Sequence, residues 1–194
     1  MTFPLNLAGR RKTLEVHFPL WKRGSKGDLP SSKSFSISLY AREKEDQPWR
    51  FVVWNKETDA AGWQRAFDCL APGNQGWVKD APLLMLTAAD SLFYHNDQPN
   101  RWGQHDTGAA AENLCLQAEA LGLMAHQMGG FDPEKARAVA GVPEQFTLMA
   151  MIAVGYPADP ASFSPEVRER ETAPRRRREL GELFFEGTWA NPVA

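Results

Sequence analysis

The side chains able to do chemistry in this 194-residue chain are few and scattered. Four histidines (His17, His95, His105, His126) and two cysteines (Cys69, Cys115) are the candidate ligands and nucleophiles. No two histidines stand three or four apart, and the cysteines form neither a CxxC nor a Cys/His spacing, so no metal site is expected. There is no GxSxG, no GxxxxGK[ST], and no GxGxxG after a strand. An ordinary hydrolase elbow, a P-loop and a Rossmann turn are therefore disfavoured. No side chain is assigned as a catalytic acid, base or nucleophile. The histidines read as structural, although His126 stands close enough in sequence to Gly129-Gly130 to polarise a substrate. What remains is chemistry carried by a borrowed flat group, approached by bare backbone.

The run from His105 to Pro157 is built for such an approach. Asp106 or Thr107 is expected to cap a helix running to about Met128. Leu114, Ala118, Leu121 and Ala125 form one stripe on it, with Ala111, Cys115 and Gly122 beside them, so the helix is buried on more than one side. Gly129-Gly130 ends it. Asp132-Pro133-Glu134 starts another helix, with Pro at the first helical position. Phe146 to Val154 reads as a buried strand closing on Gly-Tyr-Pro.

Earlier elements must hold that run in place. Trp49 to Trp54 reads as a strand. Thr58 or Asp59 caps a helix carrying Trp63, Ala66, Phe67 and Leu70 at i, i+3, i+4, i+7, stopped by Pro72-Gly73. Pro82 to Ala88 is a continuous apolar run and reads as a central strand. Residues 91–104 form a polar, aromatic-dotted loop. Leu14, Val16, Phe18 and Leu20 alternate briefly, as do Phe35, Ile37 and Leu39, in runs too short to assign.

The totals narrow the class. At 43% hydrophobic residues a full core is expected, in one domain over 1–194. A net charge of −2 argues against a nucleic-acid or anionic-membrane binder, whose affinity needs excess Lys and Arg. The longest apolar run is too short for a membrane helix, and both cysteines read as small buried thiols on helices, so a soluble cytoplasmic protein is expected.

Taken in order, the segments Gln47-Pro48-Trp49-Arg50-Phe51, NQGWVKDAPLLML, the small-residue helix, GLMAHQMGGF, IAVGYP, Arg175 to Arg178 and FEGTW resemble the nitroreductase family of FMN-dependent oxidoreductases. The resemblance covers roughly residues 45–194. It implies an α+β fold, with a mostly antiparallel sheet flanked by helices. It implies an intertwined homodimer with FMN at the interface. NAD(P)H would reduce the flavin, and a flat electron-poor acceptor, a nitroaromatic or quinone, would reoxidise it in ping-pong fashion. Gln47 would contact the flavin through its amide. Gln127, Met128, Gly129 and Gly130 would pass beside its ring. Arg177, with Arg178 next, would hold the FMN phosphate, a role that suits a guanidinium fork. Phe93, Tyr94 and Trp102 in the 91–105 loop would stack on the acceptor. The tail from residue 160 would dock on the second subunit.

The first 45 residues depart from the family pattern. The phosphate-gripping Arg-x-Ser-x-Arg motif has only a partial match in Arg23, Ser25 and Lys26. Arg42, Glu43 and Glu45 stand where the family has a Ser-Ser-x-x-Asn segment. Residues 21–45 also differ in composition from their surroundings, as a locally shifted reading frame or simple divergence would produce. Acidic residues near a buried phosphate would weaken its binding, which leaves a flavin-impaired, non-catalytic binding protein as the alternative.

Overall fold

The computed structural model describes residues 12–18, 33–39 and 46–193. The chain forms two compact units, residues 1–157 and 158–194. In the first, β1 (Lys12–Phe18) and β2 (Lys33–Leu39) make an antiparallel pair. The brief alternations at Leu14 and Phe35 are therefore strands after all. Four more strands form one sheet: β3 (Trp49–Asn55), β4 (Leu83–Asp90), β5 (Met124–Met128) and β6 (Phe146–Gly155). Their order is β3-β4-β6-β5, and every neighbouring pair is antiparallel.

Period-two alternation sends successive side chains to opposite faces, and helices cover both. On one face Trp49, Leu83, Met85 and Ile152 pack with Ala110, Leu114 and Ala118 of α3 (Gly103–Ala120). On the other, Trp54, Leu84, Leu86 and Met151 pack under α1 (Ala60–Phe67), α2 (Pro72–Val78) and α4 (Pro133–Ala140). Strand β4 is buried on both faces, which is why it reads as an unbroken apolar run. The α+β fold and the antiparallel sheet are as expected. No helix among the described residues is long and apolar enough to cross a membrane.

Three sequence expectations need correcting. The long helix stops at Ala120 rather than near Met128, and residues 124–128 are β5. Gly122 takes φ +71°, Leu123 N–H donates to Ala118 O at 2.9 Å, and Gly122 N–H to Glu119 O at 2.8 Å. That is a Schellman ending, and the Leu-Gly-Leu sequence carries its signal. The helix also begins earlier, at Gly103, leaving Asp106 in its first turn, where a negative charge suits the helix dipole. Finally, Pro72-Gly73 does not merely stop a helix. Pro72 opens α2 from its first position. Asp59 caps α1, accepting from Gly62 N–H, and Asp132 caps α4, accepting from Lys135 N–H. That Lys135 N–H holds the Asp132 carboxyl below its ordinary range.

Both cysteines are free, Cys69 buried just past α1 and Cys115 half-buried on α3. Burial raises both thiols, with Asp132 adding to the rise at Cys69 and Glu112 at Cys115. Neither is poised as a thiolate nucleophile.

Arg137 of α4 collects the loop into β6. Its guanidinium donates to the carbonyls of Val142 (3.2 Å), Pro143 (2.7 Å) and Phe146 (2.9 Å). Replacing it with Met should cost about 2–3 kcal/mol, since it strips charge-assisted donors from several carbonyls at once. Urea unfolding checks this, and a loss below about 0.5 kcal/mol, the scale of an ordinary surface change, would refute it.

The second unit holds α5 (Pro165–Thr172) and two single 3-10 turns at Pro160–Ser162 and Leu180–Glu182. Its last stretch closes on itself through a Phe185–Pro192 bridge and a Phe185–Trp189 ring contact at 4.8 Å.

Candidate functional site

The turn before β3 is fixed by its own neighbours. Pro48 and Trp49 are buried, while Gln47 is exposed. The Arg50 guanidinium donates to Gln47 O at 2.6 Å and to Trp49 O at 2.9 Å, and lies 5.6 Å from the Phe146 ring centre. Asp90 N–H donates to Pro48 O at 2.7 Å, extending the β3–β4 ladder into the turn. The Gln47 side-chain amide makes no hydrogen bond among the described residues.

This turn forms one wall of a cavity of about 260 Å³, shared with Asp90, Leu92, Tyr94 and Asn100. That is just under the usual range for a whole drug-sized ligand. The far wall is a built finger. Leu92 and Pro99 bridge its base, Phe93 N–H donates to Gln98 O at 2.8 Å, and Ser91 Oγ donates to Gln145 O at 2.6 Å. Tyr94 stands at its tip, 88% exposed. Asp46 reaches this tip, accepting from Tyr94 N–H (3.0 Å) and facing His95 Nδ1 (3.0 Å). Sequence reading missed that pair. Residues 49 apart leave no local signal.

The second expected segment is an extended strand running into a bare turn. The Gln127 amide donates to Glu112 Oε2 on α3 at 3.2 Å, and the Met128 side chain is buried in the core. Their side chains are thus engaged elsewhere. Gly129 and Gly130 are exposed, and a Cβ on Gly129 would meet nothing within 4 Å. Gly130 is held from behind. Its carbonyl accepts from Ala71 N–H at 3.0 Å and Asn74 Nδ2 at 2.9 Å, and a Cβ on it would come 2.8 Å from Asn74 Nδ2. Asn74 is a second residue that sequence reading missed.

Gln47 precedes β3 and Gly129-Gly130 follow β5, so both lie toward the end of the sheet where β6 begins. They are not level, because Trp49 pairs with Ala89 and Ala89 with Thr147, whereas Met128 pairs with Met151, four residues further along β6. Three inter-strand steps, about 14 Å, and a strand offset of about 13 Å separate Trp49 from Met128. The exposed backbone of Gly129-Gly130 lets a ligand approach closely there.

Arg23, Ser25 and Lys26 lie outside the described residues. Arg177 and Arg178 belong to the second unit and are exposed. Among the described residues Arg178 pairs with Glu182 at 3.8 Å, whereas Arg177 has no acidic partner. Phe93, Tyr94 and Trp102 are on the expected loop, with Arg101 stacked 4.4 Å over Trp102. His126 packs edge-on to Trp77 at 4.9 Å, on β5 rather than on a helix. No cluster of three or more His, Cys, Asp or Glu suited to a metal exists among the described residues.

Comparison with known proteins bears on the family and the fold. The Nitroreductase family profile matches residues 37–156, which includes Gln47 and Gln127–Gly130 but neither the Arg23 segment nor Arg177 and Arg178. A solved oxidoreductase containing FMN is 31% identical, with a TM-score of 0.68 over 77% of this chain and 75% of its own. An uncharacterized 15.4 kDa protein of Mycolicibacterium smegmatis is 34% identical over 150 residues, 74% of this chain and 99% of that protein. A Thermus thermophilus NADH dehydrogenase is 32% identical over 59% of this chain, which spans only 55% of that relative's length. The chain belongs to the nitroreductase family. Membership places it among oxidoreductases.

Proposed function

We propose that this protein is an FMN-dependent NAD(P)H oxidoreductase that reduces flat electron-poor acceptors such as nitroaromatics or quinones. The observation that carries the reading is the bare Gly129-Gly130 strip that follows β5, with the unengaged Gln47 amide before β3 toward the same side of the sheet. FMN, when bound, supplies the redox-active ring. The chain's residues do the rest. Gln47 offers its amide to the polar edge of the ring. Gly129-Gly130 lets the ring approach backbone, with Asn74 and Ala71 fixing that strip from behind. Arg177 and Arg178 hold the phosphate. The finger tipped by Tyr94 borders the space for reductant and acceptor, which use it in turn.

The protein acts as a homodimer, its residues 1–194 one functional domain, with the tail seated on the second subunit. Supporting this are Leu180, Leu183, Phe184 and Trp189, all more than half exposed in the second unit. Two free cysteines, Cys69 and Cys115, are in keeping with a reducing cytoplasmic compartment.

One observation favours the flavin-impaired alternative. The family match begins only at residue 37, after the partial Arg23, Ser25, Lys26 motif. A single experiment separates the readings. The purified protein, mixed with FMN, desalted and treated anaerobically with NADH or NADPH, should show a flavin spectrum that bleaches. A colourless protein that takes up no FMN would reject the oxidoreductase.

A further inference from the structure

We infer that Asp46 is a positioning residue for acceptor choice: its carboxylate latches the Leu92–Pro99 finger onto the Gln47 turn and so sets how far the cavity opens. The inference rests on the proposed flavin chemistry at that turn. Three observations carry it. Asp46 is mostly buried, its side chain 13% exposed, although it lies at the protein surface beside an exposed Gln47. Both its oxygens are spent on the finger, one on Tyr94 N–H and the other on His95 Nδ1, at 3.0 Å each. The tie joins two segments that line the cavity together, Asp46 and Gln47 from the turn and Leu92 and Tyr94 from the finger.

The finger has an internal frame that makes such a latch effective. Its base is bridged at Leu92 and Pro99, Asn100 N–H donates to Ser91 O at 2.7 Å, and Phe93 packs on His95 at 5.4 Å. These contacts tie the finger together independently of Asp46. Asp97 at the turn takes φ +54°, a conformation that Asp tolerates but does not favour. Beyond its base, the finger's tip bonds Asp46 from outside the loop. Breaking it frees Tyr94 and opens the cavity without touching the Gly129-Gly130 strip on the other side of the sheet end.

The test uses the full-length, FMN-loaded protein and the variants Asp46→Ala, Asp46→Asn and His95→Ala. Amide hydrogen exchange at Tyr94 reads the latch directly and needs no turnover. It should accelerate about tenfold or more in Asp46→Ala, the loss of a hydrogen bond to a charged group. It should stay near wild type in Asp46→Asn, whose carbonyl still accepts the Tyr94 N–H. The second readout is the ratio of kcat/KM for menadione to that for p-benzoquinone. It should rise roughly five- to tenfold in Asp46→Ala and less in His95→Ala, as the bicyclic acceptor gains from the opened mouth. Lost FMN or general destabilisation lowers both acceptors together and leaves the ratio alone. Unchanged exchange in Asp46→Ala overturns the latch. Accelerated exchange with an unchanged ratio overturns its role in acceptor choice. If the wild type never takes up FMN, the flavin reading fails, and the exchange result still decides the latch.

Discussion

Gly103→Ala should destabilise the first unit by about 3 kcal/mol, at the upper end of the cost of overpacking. The reason is the seam where β4 ends and α3 begins. A Cβ on Gly103 would sit 2.2 Å from Asp90 O and 3.4 Å from Asp90 C. A backbone carbonyl is no flexible side-chain end, so either the strand end or the first helical turn must move. Moving the helix disturbs Ala110, Ala111 and Leu114, all within its buried face. Moving the strand end pulls on the Gln47 turn through the Asp90 N–H to Pro48 O bond. Gly108, on the same helix and exposed, is the control, since a Cβ there meets nothing within 4 Å. Gly108→Ala should stabilise by about 0.5–1 kcal/mol through helix propensity alone. In a unit of this size the two variants should move Tm in opposite directions, roughly 6–12 °C down and 1–4 °C up. Thermal unfolding followed by circular dichroism reads both. A Gly103→Ala protein as stable as wild type would show that the seam is looser than drawn.

That seam illustrates what the sequence disclosed and what it withheld. The strands β3, β4 and β6 were legible because their apolar residues run in short, bounded blocks, and β4 is apolar on both faces. The caps at Asp59 and Asp132 were legible because capping is a local hydrogen bond. Strand β5 was not. Met124-Ala125-His126-Gln127-Met128 has no β-branched residue and continues an alanine-rich helix. Its strand state comes from pairing with β6, whose partner residues lie 23 to 31 positions away, beyond any local window. The same division holds at the site. Gln47 and Gly129-Gly130 stood out because their motifs resemble a family. Where they lie along the sheet depends on register across four strands, and Asp46 with His95, or Asn74 behind Gly130, depends on tertiary contact. Gly103 gave no sign at all, because its need for a missing Cβ is set by a carbonyl 13 residues earlier.

The Arg177→Ala substitution should weaken FMN binding by roughly ten- to hundredfold, the cost of removing one charged hydrogen-bond partner from a phosphate. Two arginines compete for this role, and their surroundings rank them. Arg178 already faces Glu182 at 3.8 Å, so binding phosphate would mean sharing that charge. Arg177 spends one N–H on Arg176 O at 3.0 Å and has no acidic partner among the described residues, which leaves most of its fork free. The loss in Arg177→Ala should therefore exceed that in Arg178→Ala, and the double variant should lose most. Because both side chains are exposed, the effect should shrink as salt rises from about 50 mM to 0.5 M. The measurement is a fluorescence titration with FMN and, in parallel, riboflavin. Riboflavin lacks the phosphate, so its affinity should change less than twofold in the same variants, within the scatter of surface substitutions. A parallel loss for both ligands would mean that the arginines support the fold and not the phosphate. FMN binding untouched in the double variant would move the anchor to the amino-terminal segment, where Arg23, Ser25 and Lys26 are the remaining candidates.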